Sequence, residues 1–212
     1  MKLSEFKQSG RGARTRFVAL VADAATQEDF ELTIAGPGAL VKRMFGDGKL
    51  DLTIDSKRSQ DDVAADFATS HDDLRKQMWE LAGLEDTGAL LKSAPEPPDP
   101  KNTVFASARP VKGPGTPFAF VASGFFVPKG ASLFLFGSFV FTAMGSLRPT
   151  TGDQDLFLHL FSPTGTTVAS SIFGGTSLDL VWFTFPFFPW VPVFEVKGFT
   201  AGVCGVFAAQ GA

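Results

Sequence analysis

Residues Gly152–Gly202 read GDQDLFLHLFSPTGTTVASSIFGGTSLDLVWFTFPFFPWVPVFEVKGFTAG. From Leu156 to Phe161 every position is apolar except His159, and the run stops at Ser162-Pro163-Thr164-Gly165. Proline presets φ for the second position of a turn and glycine accepts a positive φ, so this tetrapeptide reverses the chain. Thr166 to Ser171 predicts a second strand closed by Gly174-Gly175, Leu178 to Phe185 a third that leads into Pro186, and Val193 to Val196 a fourth that ends at Gly198. Short β-rich runs, each ended by glycine or proline, predict an antiparallel β-sandwich.

Working outward, Phe118 to Val127 and Ala131 to Thr142 predict the first strands of that sandwich, joined by a Pro128-Lys129-Gly130 turn. Thr103 to Pro117 has few periodic apolar residues and several Gly and Pro, which predicts order only against a neighbour. Ser93 to Asn102 holds Pro95, Pro97, Pro98 and Pro100, a composition that enforces an extended spacer. Before it, Arg16 to Ala22 and Phe30 to Ala35 predict a hairpin, and Ala39 to Phe45 a short helix with Pro37 near its first turn. Lys49 to Asp55 alternates, with Leu50, Leu52 and Ile54 on one face. The apolar stripe Val63, Phe67, Leu74, Met78 and Leu81 predicts a helix over about 60–82, with Ser59 and Asp62 as a capping box and Gly83 as its stop. Leu84 to Lys92 predicts a second, shorter helix. The expected fold class is mainly β: a small α+β domain over 1–92, a Pro-rich linker over 93–102, and a jelly-roll-like β-sandwich over 103–212.

Charge is divided unevenly. Residues 1–102 hold 14 Lys/Arg and 18 Asp/Glu, whereas residues 103–212 hold 5 and 4. A net charge of −3 gives no reason to expect nucleic-acid binding. The single cysteine, Cys204, excludes an intramolecular disulfide and offers no metal-binding spacing. MKLSEFKQSGRGARTR lacks the apolar core of a signal peptide, and no run of about twenty apolar residues predicts a transmembrane helix. Its five basic residues against Glu5 predict a flexible basic arm. The localisation left open is either assembly- or virion-associated, or a mature extracellular fragment.

The second half also resembles a known family. Asp153-Gln154-Asp155-Leu156, Pro163-Thr164-Gly165, Val168-Ala169-Ser170-Ser171, Gly174-Gly175 and Gly198-Phe199-Thr200-Ala201-Gly202 stand in the order seen in the bacterial pre-peptidase C-terminal domain. The likeness covers about 115–212. It implies a jelly-roll-like sandwich that serves as an accessory module of secreted proteases, without a catalytic set. Where that family commonly carries Tyr, this chain has Phe157, Phe161, Phe194 and Phe199; it contains 24 Phe and no Tyr.

Candidate chemistry is sparse. His71 lies beside Asp72 and Asp73 and reads as a surface residue. Alternation puts His159 on the side of Phe157 and Phe161, which predicts an outward-facing strand residue rather than a general base. A Cys204–His159 nucleophile pair lacks any charge or helix N-terminus to activate the thiol. Asp153 and Asp155 are the candidate metal ligands, because clustered oxygens suit Ca²⁺, although turn capping accounts for an Asp there as well. The strongest binding candidate is aromatic: Trp182, Phe187, Phe188, Trp190 and Val191, in and just before a segment whose prolines oppose a central strand.

These features predict a non-enzymatic structural and interaction protein. Its partners would be proteins or further copies of itself, assembled into an oligomer or a phage or virus-like particle. The alternative is the accessory, surface-binding domain of a secreted hydrolase, aided by Ca²⁺.

Overall fold

The computed structural model describes residues 1–46, 51–55, 99–112, 119–137, 139–185 and 187–211. The turn at Ser162–Gly165 forms as the sequence requires: the Gly165 N–H donates to the Ser162 carbonyl at 2.9 Å. A Cβ at Gly165 would collide with the Leu160 carbonyl oxygen, so only glycine fits the reversal. The turn joins β10 (Gln154–Leu160) to β11 (Thr167–Ser171), antiparallel, with a bulge between Leu158 and His159. On its other side β10 pairs with β13 (Pro192–Gly198), which pairs with β8 (Ser132–Phe136). Leu156 and Leu158 of β10 point into the core with Phe194 and Val196 of β13.

The sheet continues into the first half of the chain. After a turn at Asp99–Asn102, β5 (Thr103–Pro110) runs parallel to β8, with Thr103 opposite Ser132. Its other edge pairs antiparallel with β3 (Asp29–Gly36), which forms the expected hairpin with β2 (Thr15–Ala22). In β5 the core-facing side chains are Val104, Ala106 and Ala108, small residues that leave little periodic signal in the sequence. With β1 (Lys7–Ser9) the sheet has eight strands, in the order β1-β2-β3-β5-β8-β13-β10-β11.

The second sheet packs on the same core. It follows the path β12 (Asp179–Thr184), β9 (Thr142–Pro149), β14 (Gly202–Gly211), β6 (Ala119–Ser123), β4 (Asp51–Asp55). The short β7 (Phe125–Val127) also pairs with β14. The expected run from Phe118 to Val127 is thus split, at Gly124, whose φ of +76° suits glycine. Helix α1 (Gly38–Phe45) turns Val41, Met44 and Phe45 inward, and the Phe45 ring lies 6.0 Å from that of Phe125. The chain is mainly β and sandwich-like.

The strands on either side of the Pro-rich segment therefore share both sheets: β3 with β5 in one, β4 with β6 in the other. An isolated α+β unit over 1–92 would have left the edges of β3, β5 and β6 without these partners, and unpaired edges are costly to leave open. The helices expected over 60–82 and 84–92 lie outside the described residues.

The basic arm also differs from expectation. Leu3 and Phe6 are buried and Lys7–Ser9 pairs with β2, so two apolar anchors hold the basic segment against the sheet. Phe6→Ala is expected to lower the unfolding free energy by roughly 3 kcal/mol or more, the range for emptying a buried Phe site. A urea titration that shows no change would return the segment to a free arm.

A candidate aromatic interface at one end of the sandwich

Three connections meet at one end of the molecule: residues 137 and 139–141 between β8 and β9, the β10–β11 turn, and residues 185 and 187–191 between β12 and β13. Backbone hydrogen bonds lock them together. Val140 and Trp190 exchange N–H···O bonds of 2.9 and 2.8 Å, the Phe185 N–H donates to Phe141 O at 2.8 Å, and the Phe161 N–H donates to Val191 O at 2.8 Å. Trp190 is fully buried, its indole N–H donating to the Phe141 carbonyl at 2.9 Å. The Phe183 ring meets it edge-on at 5.6 Å.

Around this keystone the rings face outward. Phe187 is 83% exposed and Phe139 69%, with Phe141, Phe161 and Phe188 about half exposed. Phe161 stacks on Phe188 at 6.4 Å, and Phe185 meets Phe188 and Phe187 edge-on at 4.7 and 5.8 Å. Phe161 holds a φ of +62°, a conformation that costs a non-glycine residue about 1–3 kcal/mol and here sets a ring at the surface. The segments GSFVFT (137–142), FSPTGTT (161–167) and TFPFFPWVP (184–192) contain no charged residue. A partner can cover these three segments without desolvating any ion of theirs.

Of the residues singled out from the sequence, Phe187 and Phe188 are in this patch. Val191 is half-buried at its margin. Trp182 is exposed, but on the outside of the six-stranded sheet, opposite Met144. Trp190 is interior rather than interfacial, because its polar N–H finds a carbonyl inside and the ring fills the core. Phe139, Phe141 and Phe161 were not anticipated; the alternation Phe139-Val140-Phe141, with Val140 buried, is the signal that would have found the first two.

His159 is a correction. It does lie on the side of the sheet facing away from the core, with Val193 opposite it, but it is fully buried there. Its Nε2 lies 2.9 Å from Glu195 Oε2 and its Nδ1 3.1 Å from Thr167 Oγ1, while Ser132 Oγ donates to Glu195 Oε1 at 2.6 Å. A carboxylate oxygen accepts, so Nε2 carries the proton shared with Glu195, while Nδ1 and the Thr167 hydroxyl share the second bond. The chain Thr167–His159–Glu195–Ser132 ties β11, β10, β13 and β8 together, between the rings of Phe134 and Phe157. Cys204 takes no part in it. That thiol is buried, lies 3.7 Å from Gln154 Oε1, and is pushed up by burial and by Asp179.

The acidic residues divide by environment. Asp153 Oδ1 accepts from the Gly175 N–H at 3.1 Å, which joins two of the motif elements noted in the sequence. Asp155 is buried opposite Lys197, and burial, then Asp153, raise its carboxyl to about 7 despite the lowering effect of Lys197. Asp179 is fully buried: Oδ1 accepts from Ser171 Oγ at 2.6 Å and the Phe173 N–H at 3.1 Å, while Oδ2 has no hydrogen-bond partner among the described residues. Burial raises Asp179 to about 8. Among the described residues no group of three or more His, Cys, Asp or Glu is placed to hold a metal ion, and no helix is long and apolar enough to cross a membrane.

Neither a scan against protein-family models nor a search of curated proteins finds a match to this chain.

Both buried carboxyls hold a proton more tightly folded than at their ordinary value of 3.8. The stability they contribute is complete below that value and is lost as pH rises through about 7 and about 8. Asp179→Asn keeps an acceptor for Ser171 and Phe173 and removes the titration. Urea midpoints across this window are expected to fall less steeply with pH for the variant than for the wild type; parallel curves would refute the assignment.

Proposed function

We propose that this chain is a non-catalytic structural and interaction protein, docking through the aromatic end of its sandwich into a larger protein assembly such as a phage or virus-like particle. The observation that carries this reading is the group of outward-facing Phe rings on three uncharged connections. The exposed parts of Phe139, Phe141, Phe161, Phe187 and Phe188 amount to on the order of 600 Å² at about 200 Å² per ring. That lies at the upper end of what an ordinary monomer displays, and near the roughly 800 Å² per partner of a stable interface. Aromatic enrichment with depletion of charge is also the compositional mark of an interface centre.

The test is the mass in solution of the purified full-length chain, by light scattering on a sizing column, with and without a chelator. A defined oligomer insensitive to chelator is expected, reduced to monomer by the double substitution Phe187→Ser and Phe188→Ser. A monomer whose thermal midpoint drops on chelation would overturn this reading and favour the calcium-aided accessory domain of a secreted hydrolase.

A further inference from the structure

The outer face of the eight-stranded sheet carries a groove of about 650 Å³ over β3, β5 and the end of β8. Its apolar surface comes from the rings of Phe105, Phe136 and Phe139, and its polar surface from Thr33, Ser107 and Arg109. Phe105 stacks on buried Phe134 at 5.8 Å and lies 6.1 Å from Phe136, so the apolar floor is held in place in advance of any ligand. Arg109 alone among the described lining residues is charged. Glu31 stands opposite it in the β3–β5 ladder, yet among the described residues Arg109 makes no ion pair. A guanidinium beside three rings and two hydroxyl-bearing residues is thus left with its donors uncommitted.

We propose that this groove binds a small amphipathic carboxylate, its apolar body against Phe105, Phe136 and Phe139 and its carboxylate on Arg109. The guanidinium fork matches a carboxylate in a way no other side chain does. The volume falls within the roughly 300–1,000 Å³ of sites for small molecules. A neutral ligand would leave the one charge in the groove unused, and a cationic one would be repelled by it. The groove adjoins the docking surface, sharing Phe139 and Val191 with it, but Phe187 and Phe188 do not line it, so substitutions there test the docking surface alone.

The probe is 11-(dansylamino)undecanoate, followed by fluorescence on the full-length chain, with decanoate and 1-decanol as competitors. Saturable binding is expected, with decanoate displacing the probe better than the alcohol. Arg109→Gln, at an exposed position, should weaken decanoate by roughly tenfold to a hundredfold, the value of a charge-assisted hydrogen bond, and leave 1-decanol unchanged. Ser107→Leu, which fills the groove, should weaken both competitors. The Phe187→Ser, Phe188→Ser variant should bind as the wild type does, so that failure of the docking surface and failure of the groove are read separately. Absence of saturable binding, equal affinity for acid and alcohol, an unchanged Arg109→Gln, or loss confined to the Phe187/Phe188 variant would each overturn the proposal.

Discussion

Strand β5 is hydrogen-bonded along both edges, antiparallel to β3 and parallel to β8, and the fold depends on that double pairing. Without it the first three strands would be a small ribbon of marginal stability, and β8 would end the sheet with an open edge. A parallel pair needs a long crossover between its strands. Here the chain from β5 to β8 supplies one by building β6 and β7 of the other sheet on the way. That connection therefore carries the chain from one sheet to the other and back, and ties the two together.

The side of the eight-stranded sheet that faces away from the core is not simply wet. Phe134 and Val193 are buried there along with His159 and Glu195, and the imidazole and carboxylate are acceptable in that setting because each polar atom has a partner. Asp179 shows the other solution. One oxygen is fully engaged, the other has no partner among the described residues, and the group stays neutral to a higher pH instead. The two sites show how a chain with few charges in its second half can still place several of them inside.

Most strands read directly from the sequence had ends marked by turn chemistry: β10 and β11 around Pro163–Gly165, β7 and β8 around Pro128–Gly130, β12 before Pro186, β13 before Gly198, and β2 and β3 around a polar connection; β4 was read from its alternation. Strand β5 was illegible because its inward residues are Val and two Ala, and β9 because Ala143, Gly145 and Leu147 vary so much in size. Sharing of sheets between the halves could not be read at all, since four prolines state that a segment is extended but not what its neighbours pair with. In the aromatic site, Phe187 and Phe188 were visible as a cluster. Sequence alone cannot tell that Trp190, two residues on, turns inward, because that depends on the Phe141 carbonyl nearly fifty residues away meeting its N–H. His159 was placed on the correct side and given the wrong environment, since alternation assigns a face and not what covers it.

Strand β14 comes later in the chain than every strand it touches, yet it sits between β9 and β6 in the middle of its sheet. During synthesis, β12–β9 on one side and β6–β4 on the other must wait as separate two-stranded pieces until residues 202–211 have left the ribosome. Until that strand arrives each piece presents an open inner edge, and the sheet is completed by insertion of a strand into a gap rather than by growth at a margin. A chain built in this way is most open to mispairing while that gap is unfilled.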